Sequence, residues 1–273
     1  MLITFYYLQF FIIGLCIGSF LNVIVYRFQN NLSIIKPRSF CPKCKTKLTI
    51  RENIPLLSYL IQRGKCLNCK LSISFRYPLI ELITGTLFVV FVNSSSSFYG
   101  SNLNHFFNIF YSWIFVSILI CISIIDIDSF WIPQGLINFG FFSGILGLIF
   151  LSIFKNDASM DVYLIAKALS SSAVSYGVFE LLRYLAKCIF KKDAIGKGDS
   201  KLVAMLALWL GPLGILLAVG ISYIFAAIYC LIGLSTNLIR FKQVIPFGPF
   251  LSSGALLTWF LGNEIILEKI LRI

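Results

Sequence analysis

The sequence predicts an all-α, polytopic membrane protein with about eight transmembrane helices and a small cytoplasmic, zinc-ribbon-like loop domain. Of its 273 residues, 58% are hydrophobic and only 12% are charged, whereas roughly a quarter of the residues in ordinary proteins are charged. The apolar residues also form long uninterrupted blocks. A helix needs about 20 such residues to cross a bilayer, and several blocks meet this length.

The expected spans follow these blocks along the chain. They cover residues 3–26, 77–93, 106–125, 132–154, 162–182, 201–211, 213–233 and 246–267. Gly211-Pro212 separates the sixth span from the seventh, as either a tight turn or a kink. We expect two domains: residues 1–76, with the first helix and the cysteine-containing region, and residues 77–273, with the remaining helices.

The basic residues are concentrated in three segments. The net charge is +12, and 19 of the 23 Lys and Arg residues lie within 27–76, 183–201 and 240–242. Basic loops of membrane proteins face the cytoplasm. Eight spans that start outside the cell place all three segments on that side. Topology therefore explains the positive charge, and we expect the lipid bilayer rather than nucleic acid as a partner.

Four cysteines form two C-x-x-C pairs, Cys41 with Cys44 and Cys66 with Cys69. Four thiolates complete the tetrahedron of a structural zinc site and leave no open position for catalysis. Two disulfides, or four reduced thiols, are the alternatives. Disulfides are disfavoured because the loop is expected to face a reducing compartment. We therefore predict structural zinc.

Two aspartates lie at the ends of apolar blocks, where ionisable groups are costly and often functional. Asp126 ends the third span and Asp199 opens the sixth, so the predicted topology puts both at the cytoplasmic rim. Two close carboxylates share one proton, so one can activate water while the other polarises a carbonyl group. Gly196 and Gly198 would let a substrate backbone approach closely. In the alternatives, Asp199 only caps its helix, or Asp128 takes the place of Asp126.

These motifs resemble those of the type IV prepilin peptidases, also called leader peptidase/N-methyltransferases. The resemblance selects Asp126 over Asp128 and runs from about Gly14 to Asp199; beyond that point the last spans match only in hydrophobicity. The matching segments are Gly18–Val23 with Tyr26-Arg27, Glu52–Ser58, Arg63–Cys66, Arg76–Glu81, Asp126–Pro133 and Gly196–Asp199.

The resemblance implies two activities at the bacterial inner membrane. The first is cleavage of type IV prepilins or pseudopilins after a glycine, on the cytoplasmic side. The second is methylation of the new amino terminus from S-adenosylmethionine. The sequence has no glycine-rich dinucleotide-type motif, so the pocket for this donor would use the first span and the polar loop. Its polar contributors would be Glu52, Asn53, Arg76 and Glu81, although Arg76 and Glu81 could instead anchor the second span.

Three other functions fit parts of the pattern. They are a GxGD protease that cuts inserted helices, a proton-coupled transporter that uses the aspartates as a relay, and a non-enzymatic scaffold that docks partners through its cysteine loop. The protease of inserted helices would not need the cysteines, and the scaffold leaves the aspartates unexplained. For a prepilin peptidase, Asp128 and Asp193 would serve as acidic contacts for a basic leader peptide.

Overall fold

The structure is a computed structural model that describes residues 2–95, 102–155, 158–191, 196–240 and 243–262. Within these ranges the regular structure is helical, and a long, largely irregular loop with two isolated β-bridges lies between the first helix and residue 76. The prediction of an all-α fold is confirmed. The helices are α1 (Leu2–Gln29), α2 (Leu57–Ile61), α3 (Arg76–Ser95), α4 (Asn102–Ser129), α5 (Gln134–Lys155), α6 (Ala158–Phe190), α7 (Lys197–Ser235) and α8 (Gly248–Leu261), with a 3₁₀ turn at Arg51–Asn53.

Among the described residues, four helical segments are long and apolar enough to cross a membrane: Phe5–Gln29, Phe106–Ser129, Gln134–Ser152 and Lys197–Ser235. The last of these, α7, is broken at Gly211, where φ is 72° and ψ is −179°, and Pro212 follows. The break separates two helical halves, as the predicted spans 201–211 and 213–233 require. With these halves counted separately and the short α2 left out, the described helices number eight, as predicted.

Two features of the sequence analysis extend outside the described residues. The last predicted span, 246–267, runs past residue 262, and Asp193 lies in the gap between residues 191 and 196. The short helix α2 was not predicted. It lies inside the polar segment 28–76, where its five residues are too few to show a helical periodicity.

The first compact unit of the chain covers Met1–Cys121, and in it α1 packs along α3. A Cβ atom added to Gly14 would lie 2.7 Å from the Cα of Gly85, and one added to Gly18 would lie 2.7 Å from the Cα of Glu81. Small residues allow such close approach of helices in membranes. Glycines on α1 therefore bring its backbone directly against α3 at Glu81.

The second compact unit covers Ile122–Ile273, and α7 is its central helix, packed against α5, α6 and α8. The first half of α7 is almost entirely buried. The indole N–H of Trp209 in this half donates to the carbonyl of Gly140 in α5 at 2.9 Å. In the second half, α8 crosses so closely that a Cβ atom on Gly254 would clash with the Ala218 carbonyl. The buried half of α7 begins at Asp199, so this packing fixes that end of the helix.

Candidate active site and metal centre

The four cysteines lie on two turns of the same construction. In each turn the residue after the second cysteine, Lys45 or Lys70, has a left-handed backbone, with φ of 62° and 58°. The N–H of that lysine donates to the carbonyl of the first cysteine, Cys41 or Cys66, at 2.9 Å in both turns. Each turn thereby directs its two sulfur atoms to the same side.

The two turns bring four sulfur atoms together. The Sγ atoms of Cys41, Cys44, Cys66 and Cys69 all lie within 4.8 Å of one another, and none of these cysteines forms a disulfide. Zinc–sulfur bonds of about 2.3 Å place tetrahedral sulfur atoms roughly 3.8 Å apart. A small contraction of the cluster therefore accommodates an ion of that size.

A further side chain connects the two turns. The amide of Asn68, in the second turn, donates to the sulfur of Cys44 at 3.6 Å and to the hydroxyl of Thr46 at 2.7 Å. Hydrogen bonding with Thr46, and after it with Asn68, lowers the pKa of the Cys44 thiol to about 6. The thiolate is the form that binds metals, so this arrangement favours metal binding.

A cavity of about 520 Å³ lies beside the cysteine turns in the first unit. Cavities of about 300–1,000 Å³ are typical of small-molecule and cofactor sites. The walls of the cavity are residues of α1, α3 and the intervening loop, and the sulfur ligands Cys41 and Cys66 are among them. The structure also brings all four predicted cofactor contacts to this cavity: Glu52, Asn53, Arg76 and Glu81. Their role in binding remains a prediction.

The structure brings the two predicted aspartates together in the second unit. Asp126 is buried, with 5% of its surface exposed, and accepts a hydrogen bond from the N–H of Gly248 at 2.8 Å. Asp199 accepts one from the N–H of Gly196 at 3.2 Å, which is a helix-capping contact. The two carboxylates interact electrostatically. Asp128, two residues after Asp126, has an exposed side chain.

The residues that follow Asp126, between α4 and the start of α5, contact the start of α7, which carries Asp199. A Cβ atom on Gly198 would lie 3.2 Å from the Cβ of Ile132, and the ammonium group of Lys201 donates to the side-chain oxygen of Gln134 at 2.5 Å. The start of α7 is thus held against the residues that follow Asp126. This packing requires a residue without a side chain at position 198. That Gly198 also lets a substrate backbone approach closely remains a prediction.

Two residues near the aspartates were not found from the sequence. Gly248 begins α8, and a Cβ atom there would lie 2.7 Å from the Oδ2 atom of Asp126. The ring of the preceding Phe247 lies 5.2 Å from the ring of Tyr223, and Tyr223 interacts electrostatically with Asp199. The Pro-Phe-Gly-Pro sequence around Gly248 signals a turn before an apolar helix. It does not indicate which side chain that turn contacts.

Comparison with known proteins gives matches over most of the chain. The family model described as "Bacterial Peptidase A24 N-terminal domain" matches residues 12–94, and that of the "Type IV leader peptidase family" matches residues 113–231. A "Type 4 prepilin-like proteins leader peptide-processing enzyme" of Escherichia coli O78:H11 is 33% identical over 91% of each chain. A protein of Bacillus subtilis called "Prepilin leader peptidase/N-methyltransferase" is 33% identical over 94% of each chain. A protein of Legionella pneumophila with the same name is 32% identical over 96% of this chain and 93% of the relative. No solved structure matches.

The matched family is one of aspartic peptidases, which is the class that two aspartates at helix ends led us to expect. The chain belongs to the type IV leader peptidase family. The family predicted from the motifs is therefore confirmed. The likeness does not end at Asp199, where the sequence analysis placed its limit, because the family model continues to residue 231 and the relatives cover more than nine-tenths of the chain.

Proposed function

We propose that the protein cleaves type IV prepilins or pseudopilins after a glycine, at the cytoplasmic face of the bacterial inner membrane, and then methylates the new amino terminus. The observation that carries the peptidase activity is that the Asp126 and Asp199 carboxylates lie close enough to interact electrostatically, with the start of α7 packed through Gly198 against Ile132. The relatives' names, prepilin leader peptidase and N-methyltransferase, support the substrate and the second reaction.

In the proposed cleavage the two carboxylates have different tasks. A hydrogen bond from a backbone N–H favours the ionised form of a carboxylate, and the bond to Asp126 is shorter than the one to Asp199. Asp126 therefore acts as the general base that takes a proton from water. Asp199 holds the shared proton and donates a hydrogen bond to the scissile carbonyl, which makes that carbon easier to attack.

The cysteine region would hold two groups in the proposed enzyme. Cys41, Cys44, Cys66 and Cys69 hold a structural zinc ion, because four thiolates at this spacing suit zinc. S-adenosylmethionine supplies a methyl group on a positively charged sulfur atom. The only acidic residues among the first 121 are Glu52 and Glu81, and both line the cavity. Of these two carboxylates, Glu52 would bind the charged and polar groups of the donor, together with Asn53 and Arg76.

The proposed orientation places the amino terminus outside the cell and the three basic segments inside. The loop with the cysteine turns lies within one of these segments, residues 27–76. The residues next to Asp199 lie within another, residues 183–201. Both proposed reactions therefore take place on the cytoplasmic side, where the positive-inside rule puts these segments.

The decisive experiment substitutes the aspartates in the full-length protein and measures cleavage of a prepilin in lipid. Asp199→Asn retains a side-chain oxygen that can accept the N–H of Gly196, so the helix cap survives while the acidic group is lost. We expect the cleavage rate to fall by about 1,000-fold or more, with little change in the unfolding temperature. Asp126→Asn should have the same effect, whereas Asp128→Asn, at the exposed neighbouring position, should reduce cleavage only modestly, through its predicted contact with the leader peptide.

Three outcomes would contradict this assignment. Normal cleavage by Asp199→Asn would mean that Asp199 only caps α7. A loss of activity in Asp128→Asn with normal activity in Asp126→Asn would move the active group to residue 128. Transport or docking that persists in both aspartate variants, in a wild-type protein that cleaves no prepilin, would favour the transporter or the scaffold.

A further inference from the structure

The cavity beside the cysteine turns contains a carboxylate that is held in one position. Glu81 of α3 has only 8% of its surface exposed and lines this cavity. Its Oε2 atom accepts the backbone N–H of Leu56 at 2.8 Å, and the hydroxyl of Ser19 also hydrogen-bonds to the carboxylate. Gly18 brings the backbone of α1 against the Cα of Glu81. The loop and α1 therefore both hold this residue of α3 in place, and the two hydrogen-bond donors are uncharged.

The other charged groups of the cavity are differently placed. Arg27 is buried, and its guanidinium donates to backbone carbonyls, two of them at 2.7 and 2.6 Å. Glu52 lies on the 3₁₀ turn, where its Oε2 atom accepts both the N–H and the hydroxyl of Thr49 at 2.8 Å. Of the two carboxylates in the cavity, Glu52 therefore lies on a short turn, whereas Glu81 belongs to a long, closely packed helix. The other charged residues that line the cavity are Arg27, Lys43, Glu52 and Arg76.

The acceptor in the proposed methylation imposes a chemical requirement, and the present inference rests on that proposed function. An α-amino group has a pKa of about 8, so at neutral pH most of it is ammonium, which has no lone pair to attack a methyl group. The enzyme must therefore bind a cation and remove its proton. A carboxylate attracts the ammonium group, and a carboxylate that is largely removed from water takes up a proton more readily than one in solution.

We propose that Glu81 binds the ammonium group of the newly exposed amino terminus and accepts its proton. The proton moves from nitrogen to the Glu81 carboxylate, and the freed lone pair forms the nitrogen–carbon bond. The electron pair of the carbon–sulfur bond leaves with the sulfur, which becomes a neutral thioether. The methylated nitrogen then carries the positive charge, and Glu81 releases the proton it accepted to water, which restores the carboxylate. Glu52, on the loop, remains available to the methyl donor.

The test uses the full-length protein in lipid nanodiscs and the variant Glu81→Gln. Three quantities are measured: the affinity for S-adenosylmethionine by calorimetry, the affinity for a pre-cleaved peptide with a free or an acetylated amino terminus, and the rate of methylation. Glu180→Gln is the matched control, because Glu180 is a half-buried helical glutamate in the second unit that pairs with Arg183.

For Glu81→Gln we expect donor affinity close to that of the wild type. Binding of the free-amine peptide should weaken by about tenfold, since a hydrogen bond to a charged group is lost, while binding of the acetylated peptide is unchanged. Methylation at saturating donor and peptide should fall by about 100-fold and should recover as the pH is raised toward 9, where the amine loses its proton to solvent. Prepilin cleavage and metal content serve as the measures of correct folding.

Two results would overturn the role of Glu81. The first is a variant that methylates at the normal rate, and the second is a variant that loses donor affinity but binds the free-amine peptide normally. Glu81→Asp keeps an acidic group, so we expect it to retain part of the methylation activity. If Glu81→Gln fails to fold, methylation by Glu81→Asp no higher than background would also reject the proposal. A wild-type protein that neither binds the donor nor methylates would instead refute the proposed methylation itself.

Discussion

The cysteine turns and the aspartate pair are held together in different ways. Each cysteine turn is made by hydrogen bonds between residues about four apart, and the two turns are joined through the sulfur cluster and Asn68. The aspartate site depends on residues that are distant in sequence, since Asp126 and Gly248 are separated by 122 positions. We therefore expect the first site to depend on the proposed zinc ion, whereas the second depends on the packing of long apolar helices.

This contrast leads to different sensitivities for the two sites. Removal of the ion should disrupt the loop and its cavity while the second unit keeps its helix packing. Small changes in the contacts around the carboxylates should instead reduce cleavage without changing metal content. The following experiments test this separation.

The largest effect is expected from loss of the metal. Structural zinc contributes about 10 kcal/mol or more to folding in small zinc domains, so Cys41→Ser should lose the ion, open the loop to proteases and abolish donor binding, with part of the cleavage activity retained. Metal analysis, limited proteolysis and a cleavage assay measure these effects. Cys188→Ser, at an exposed cysteine outside the cluster, is the control. A wild-type protein that is stable and contains no metal would refute the zinc assignment.

The next effect concerns the contact between α8 and the aspartate pair. A methyl group introduced by Gly248→Ala would lie 2.7 Å from the Asp126 carboxylate, so the carboxylate or the helix must move. A displacement of about 1 Å in an active site reduces the rate by about 100-fold, and we expect that loss in prepilin cleavage with unchanged metal content.

Gly177→Ala provides the matched comparison, because a Cβ atom at Gly177 in α6 would have no neighbour within 4 Å. Equal activity in the two glycine variants would show that the Gly248 contact is unimportant for cleavage.

A smaller effect is expected at the connection between the cysteine turns. Asn68→Ala removes the donor to Cys44 and Thr46, and loss of such an outer partner weakens metal binding by about 10- to 100-fold. Competition with a chelator measures the metal affinity. A fall in cleavage parallel to the fall in metal affinity would show that the aspartate site is not independent of the cysteine turns.

The smallest expected effect lies in the helix packing of the second unit. Trp209→Phe leaves the carbonyl of Gly140 without its indole donor, which should cost about 1–2 kcal/mol of unfolding free energy. Thermal unfolding in detergent measures it. A loss of metal in this variant would contradict the independence of the cysteine turns.

The parts of the fold that local sequence encodes were predictable. The break in α7 was visible because glycine, here Gly211, tolerates a positive φ and Pro212 cannot continue the hydrogen-bond pattern. The cysteine turns were visible as two C-x-x-C pairs. The short α2 was not visible, and the domain boundary expected at residue 76 remains a prediction.

The aspartate site was predictable only in part. Asp126 and Asp199 stood out because charged residues are rare beside apolar blocks. Gly248 and Tyr223 did not, since a glycine before an apolar helix and a tyrosine within one are ordinary features. Their significance depends on how α7 and α8 cross, and that crossing is a property of tertiary packing rather than of any one segment.

The hydrogen bond from Gly248 to Asp126 has a consequence for the order in which the enzyme is made. A ribosome releases the chain from its amino terminus, so both acidic residues enter the bilayer well before position 248 does. Until α8 has inserted, the carboxylate lacks the backbone donor that fixes it. A nascent chain would thus have its acidic residues in the membrane and yet be unable to cut neighbouring proteins, and hydrolysis would begin only once synthesis had passed this glycine.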